Sequence, residues 1–241
     1  MKSVDYEDWA DFIDAVIQEH HPEAESILEL ACGTGKVAMY LDELDCYDIT
    51  ATDRSEEMLE QARRIADFRG YTIQWERQDF FDIQSDKTYD IILMLFDSVN
   101  YIHKEDDLQK MFKSVQRVMH EDSLFIFDFT TLKHSQLIFD KLDDEGVTAD
   151  DFRYVRKSYI IESEKMHINE FEIEKLDKDR VTVLERFREV HRQKMYEFNE
   201  MRSYVEKAGF AIEAAYDDFD LVDATTRSER ITMVLSCPNL Q

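Results

Sequence analysis

Five glycines stand in a chain of 241 residues, and two of them, Gly33 and Gly35, fall within three positions. They follow the apolar run Ile27-Leu28-Glu29-Leu30-Ala31-Cys32 and precede a helical stretch from Thr34 to about Leu44. A strand that enters a helix through Gly-x-Gly presents bare backbone at the end of a sheet. Glycine takes positive φ without strain and lets another molecule come close to the main chain. In a chain this poor in glycine, that placement implies an α/β unit with a nucleotide-like cofactor against the turn.

The flanking sequence keeps the alternation going. Tyr6, Trp9, Ile13, Val16 and Ile17 recur at helical spacing up to His20-His21-Pro22. Residues 26–31 predict a strand, and residues 47–52 a second one ending at Asp53. Ser55 caps a helix bearing Met58, Leu59, Ala62 and Ile65 on one side, and Gly70 stops it. A third strand over 71–77 leads to Gln78-Asp79. Tyr89 to Phe96 is nearly all apolar, as a strand covered on both faces should be. A helical stripe from Leu108 to Met119 precedes a strand over Leu124 to Phe129. After Thr131 the rhythm changes. Residues 141–151 are polar and predict a loop, and 152–163, 166–176 and 180–195 predict three antiparallel strands. A helix over Glu200 to Ala208, ended by Gly209, and strands over 210–216 and 230–236 resume the first pattern. The expected fold is therefore α/β and doubly wound. Residues 1–131 and 197–241 form a mostly parallel seven-stranded sheet, and 132–196 form a three-stranded antiparallel insert.

Charge and cysteine usage narrow the function classes. The net charge of -25 disfavours DNA and RNA, whose phosphates most of this surface would repel. It suits either a solubilising surface or a cationic, amine-bearing substrate. No apolar run approaches the ~20 residues of a membrane span. The start, Met1 to Tyr6, lacks the plan of a secretion leader. Cys32, Cys46 and Cys237 are odd in number and scattered, which predicts free thiols in a reducing cytoplasm and no metal site.

Strand, Gly-x-Gly turn, helix, strand and acid fit two cofactor classes. Gly33-Thr34-Gly35-Lys36-Val37-Ala38 meets the loose dinucleotide pattern. Glu29 argues against it, because a carboxylate at the strand end repels a pyrophosphate but favours an ammonium or sulfonium. The amphipathic helix ahead of the first strand also argues against it. Glu29-Leu30-Ala31-Cys32-Gly33-Thr34-Gly35, Asp53, Gln78-Asp79-Phe80 and Phe96-Asp97-Ser98-Val99-Asn100-Tyr101 together resemble the class I methyltransferases that use S-adenosylmethionine (SAM), over residues 25–130. Residues 97–102, the insert and Glu189-Val190-His191-Arg192-Gln193-Lys194-Met195-Tyr196 are similar to the YqeM-like bacterial group.

The resemblance implies SAM as cofactor and an antiparallel lid over a small-molecule substrate. It places the cofactor's methionine end at Glu29, Ala31, Cys32, Gly33, Thr34 and Gly35. The ribose falls to Asp53 beside Arg54, and the adenine to Gln78, Asp79, Phe80 and Met58. Phe96 lies at the substrate–cofactor contact, and Asp97, Asn100, Tyr101 and His191 are the candidates for chemistry. Alternatives stay open for several. Asp82 competes with Asp79, and Asp97 suits a loop cap. Asn100, Tyr101 and Met58 suit a core, His191 suits a strand's structure, and Trp9 and Phe12 suit packing. The pattern departs from the family at Ala31, usually glycine, and at Glu29, usually aspartate. A tyrosine-bearing lead-in that folds over the cofactor is also expected, and none is seen ahead of Met1. A monomer or homodimer is expected. A SAM-binding protein without transfer and a NAD oxidoreductase are the other readings.

Overall fold

The computed structural model describes residues 6–238, so the start read above for a leader lies largely outside the described residues. The chain begins with α1 (Tyr6–His20), β1 (Ser26–Leu30), α2 (Lys36–Asp42), β2 (Asp48–Asp53), α3 (Glu56–Arg69) and β3 (Gln74–Arg77). It continues with β4 (Ile91–Met94), a 3-10 turn at Ser98–Tyr101, α4 (Glu105–Gln116), β5 (Leu124–Thr130) and α5 (Leu132–Ile138). Then come β6 (Asp144–Val147), β7 (Phe152–Ile161), β8 (Met166–Leu176), β9 (Val183–Lys194), α6 (Phe198–Lys207), β10 (Ala211–Asp217) and β11 (Arg230–Ser236).

Seven strands form the main sheet in the order β10-β11-β5-β4-β1-β2-β3. β3, β2, β1, β4 and β5 run parallel, and β11 is antiparallel to both β5 and β10. Helices cover both faces. α1, α2 and α3 close one core around Ile13, Val16, Ile17, Ile27, Leu41 and Ile126. α4 and α6 close the other around Leu108, Phe112, Phe125, Phe127 and Met201. Ile13, Val16 and Ile17 of α1 are 0% exposed, and burying each contributes about 1.5–3 kcal/mol. The sequence-predicted α/β, doubly wound sheet is thus the observed one.

The local differences have local causes. α2 begins at Lys36, two residues late, because Ala31, Gly33 and Gly35 all carry positive φ (54°, 58° and 68°). The chain climbs out of β1 in left-handed steps before it can wind. The insert holds four strands in the order β6-β7-β8-β9, not three. The added one, β6, lies where a polar loop was expected. It pairs with β7 from Asp144↔Arg156 to Val147↔Arg153. A four-residue edge strand is held by its backbone ladder, so it needs no alternating apolar pattern, and Gly146 lies against the Tyr154 ring.

The second sheet has two unlike faces. One carries Arg153–Glu174, Arg186–Glu174 and Arg188–Glu170 ion pairs, each at 2.9 Å. The other carries Arg156, Ser158, His167, Asn169, Phe171, His191 and Gln193, and it meets the main sheet near residues 97–101. β9, twelve residues long and largely exposed, forms one edge.

Candidate active site

The order of the main sheet reverses between β1 and β4. Successive connections leave those two strands toward opposite faces, and their C-terminal ends open a crevice. The glycine turn follows β1 into it. The two glycines do different work. A Cβ on Gly33 would meet nothing within 4 Å, so this backbone faces open space. A Cβ on Gly35 would sit 2.2 Å from the Trp75 ring, so its bareness serves packing.

Asp53 ends β2 beside the turn. Its Oδ2 accepts the Gly33 amide at 2.8 Å and its Oδ1 the Ser55 amide at 2.8 Å. Glu29 is 3% exposed under the turn. It accepts the amide of Ala38, in the first turn of α2, and its Oε2 has no partner. Burial, countered in part by that amide, pushes the Glu29 carboxyl up to about 8. Burial also raises the Cys32 thiol, helped by Glu29 and Asp53, which disfavours its thiolate. Thr34 is half-buried within the turn.

The residues expected around an adenine are looser. Arg54 is exposed and its carbonyl accepts from Arg77 at 3.1 Å. Met58 is 43% exposed on the first turn of α3. The Gln78 amide donates to the Asp53 carbonyl at 3.0 Å, but its side chain is bound to Glu76 and to the Gln84 amide. Asp79 accepts the Phe81 amide at 2.9 Å, and Phe80 lies 4.6 Å from Phe81 and packs on the second core.

Across the crevice, Phe96 and Asp97 both carry positive φ, 57° and 48°. Trp9 lies 4.5 Å from the Phe96 ring and Tyr6 5.2 Å from it, with Lys36 over Tyr6. The Asp97 carboxylate is fully engaged, by Arg230 at 2.9 Å on Oδ1 and by Gln193 on Oδ2. Asn100 corrects the expectation set for it. It is 1% exposed, and its amide is spent on backbone: Nδ2 donates to the Thr130 and Lys194 carbonyls, and Oδ1 accepts the Thr130 amide. It ties the turn to both sheets and has nothing left for a substrate. Tyr101 and His191 do meet, 90 residues apart in sequence, with Oη 2.8 Å from Nδ1. Glu189 lies 3.5 Å from the other ring nitrogen. Burial, with Asp97 and Glu189 nearby, pushes the Tyr101 phenol up to about 12.

Sequence reasoning missed Asp128, Arg230, Gln193 and His167. Asp128 is 0% exposed within β5, and burial, offset in part by Arg230, raises it to about 6. Its signal was present: a lone carboxylate inside the apolar run Leu124 to Phe129. Burial alone would lower the Arg230 guanidinium, but Asp128 and Asp97 outweigh it and raise it. His167, 4% exposed, pairs with Ser158 at 2.8 Å, and burial holds it down at about 4.

A family model described as a methyltransferase domain matches residues 27–122, from the first strand to the turn before β5. The Bacillus subtilis protein YqeM, which bears a methyltransferase's name, is 28% identical over 235 residues, 96% of this chain and 90% of its own. The crystal structure of an S-adenosylmethionine-dependent methyltransferase from Clostridium acetobutylicum superposes with a TM-score of 0.83 at 27% identity, covering 98% of this chain and 94% of that one. The sugar N-methyltransferase KedS8 from Streptoalloteichus shares the fold, with a TM-score of 0.73 at 20% identity over 97% of this chain and 89% of its own. The dinucleotide reading falls to these matches, which together indicate a SAM-dependent methyltransferase.

Proposed function

We propose that this enzyme methylates a nitrogen or oxygen of a small molecule, an amine by preference, with residues 132–196 as a lid on the acceptor side. One observation carries the donor's place: Glu29 and Asp53, two carboxylates, flank the open backbone of Gly33. The partnerless Glu29 Oε2 is a buried acceptor that suits a cationic group and not a pyrophosphate. The residues therefore fit SAM, which when bound supplies a methyl group that is already electrophilic.

The chain's own part is placement. Asp53 is locked by two amides, which aims its remaining lone pairs at vicinal hydroxyls. Glu29, which holds its proton near neutral pH in the free chain, gives it up as an ammonium binds at the turn. Holding donor and acceptor in line and excluding water supplies about 7–11 kcal/mol of a barrier of this kind. Proton removal from the acceptor falls to Tyr101 and His191. A phenol at about 12 keeps its proton at neutral pH and donates to His191 Nδ1. As the acceptor's proton reaches Tyr101 Oη, the phenolic proton moves to Nδ1, and Glu189 balances the imidazolium. Support for an amine comes from Glu189 on this side, and from the named activity of KedS8 on the same fold.

Calorimetry with S-adenosylhomocysteine (SAH), followed by turnover of methyl-labelled SAM against a library of small amines and alcohols, tests the reading. SAH should bind in the micromolar range, and label should pass to amines first. Label appearing on RNA or protein alone would overturn the acceptor class.

A further inference from the structure

Four elements converge on a turn of two residues. Trp9 of α1 packs on the Phe96 ring at 4.5 Å. Asp128 of β5 accepts the Asp97 amide at 3.0 Å. Arg230, the first residue of β11, donates through Nη2 to Asp97 and through Nη1 to Asp128, and lies 5.3 Å over the Trp9 ring. Gln193 of β9 donates to the remaining Asp97 oxygen. The turn itself is strained, since two successive non-glycine residues hold positive φ at about 1–2 kcal/mol each. Such a conformation persists only where the surroundings over-determine it. Arg230 does most of this. Its two nitrogens bridge two carboxylates that would otherwise repel each other in a buried place, Asp97 at 19% and Asp128 at 0% side-chain exposure. Gln193 is where the Asp97 carboxylate reaches the second sheet, beside the separate contacts of Asn100 and Tyr101.

We propose that Arg230 is a positioning residue for methyl transfer. It holds Asp97 so that the Phe96–Asp97 turn and the acceptor-side sheet are registered through Gln193 and respond as one body. The proposal rests on the donor lying at the glycine turn, as argued above. It makes the second sheet feel the cofactor at a distance from it, through side chains and not through the chain's covalent path.

Hydrogen exchange followed by mass spectrometry, with SAH affinity and melting temperature alongside, separates this from a merely structural ion pair. In the unaltered protein, SAH should slow exchange both at residues 94–101 and at 187–194. Gln193→Leu should keep SAH affinity within about threefold and keep the effect at 94–101, yet lose it at 187–194. Arg230→Met should weaken SAH by about tenfold or more and lose the effect at both places, as expected for removing one partner of a buried pair. Arg230→Lys, with one ammonium for two carboxylates, should recover only part. Persistence of the 187–194 effect in Gln193→Leu overturns the proposal, as does wild-type SAH affinity in folded Arg230→Met. If Arg230→Met does not fold, the Gln193→Leu result decides alone. Absence of SAH binding by the unaltered protein overturns the donor assignment and this proposal with it, whereas binding without any effect at 187–194 overturns this proposal only.

Discussion

The donor side and the acceptor side of this crevice are held by different means. At the glycine turn, carboxylates grip backbone: Asp53 takes the Gly33 and Ser55 amides, and Glu29 takes the Ala38 amide. Opposite, side chains grip side chains across two sheets: Asp97 with Arg230 and Gln193, and Tyr101 with His191. Backbone-anchored groups depend on a few residues close in sequence, so they tolerate change elsewhere. The acceptor side depends on long-range pairs, so it can be rebuilt by substituting the insert while the donor side stays as it is. A single donor can thus serve many acceptors on one fold.

Asp53→Ala should test the donor side most severely. It removes the carboxylate proposed above to accept from the ribose hydroxyls and frees two amides, and calorimetry should show SAH affinity down by about 100-fold, given about 1.5–3 kcal/mol per charged hydrogen bond. Asp53→Ala binding SAH like the unaltered protein would break the comparison at its root. The glycines come next. Gly35→Ala drives a methyl into Trp75 and should lower stability by about 2–4 kcal/mol in denaturant unfolding. Gly33→Ala meets open space and should lose only about 1 kcal/mol for its positive φ, while weakening SAH more than it weakens the fold.

Glu29 sharpens the contrast by pH. Its carboxyl lies at about 8 in the folded chain against an ordinary 4.5, so between those values the folded state holds a proton that the unfolded state has released. Stability therefore falls as pH rises through that window. Glu29→Gln should flatten the fall, melting higher than the unaltered protein at pH 8.5 by an amount on the order of 1–3 kcal/mol and near it at pH 5. Binding of the cationic donor should act the other way and release a proton near neutral pH, readable from calorimetry in buffers of different ionisation enthalpy. The smallest effect on SAH affinity belongs to the acceptor side. Tyr101→Phe and His191→Asn should leave SAH affinity within about twofold while slowing transfer by about 10²–10⁴-fold, the usual worth of a positioned base.

The legibility of the molecule divides along the same line. Ile27 to Gly35 and Asp53 could be read because the backbone itself demands those residues: a covered strand, a left-handed turn, an acid beside it. Ser55 and Gly70 were readable as caps for the same reason. β6 was not, since an edge strand of Asp-Glu-Gly-Val is stabilised by pairing that leaves no trace in side-chain pattern. Asn100 looked like chemistry and proved to be a splice, because an amide that satisfies three backbone groups has the same letter as one that touches a substrate. Arg230 and Asp128 are 102 residues apart, and only the antiparallel pairing of β11 with β5 makes them neighbours.

The long free margin of β9 carries one more consequence. From Val183 to about Val190, extended backbone at the border of a sheet offers amide and carbonyl groups that a strand from another molecule could join, while the Arg192 and Lys194 carbonyls are taken by His103 and Asn100. Arg186, Arg188, Arg192 and Lys194 line that margin on one face and Glu185 and Glu189 on the other, mostly exposed. Any strand laid alongside would have to match them one for one, in a register set by no partner in this chain. Charges of both signs on an edge strand work against edge-to-edge pairing. Replacing them with the valines and threonines a strand favours would make a smoother sheet and a stickier protein.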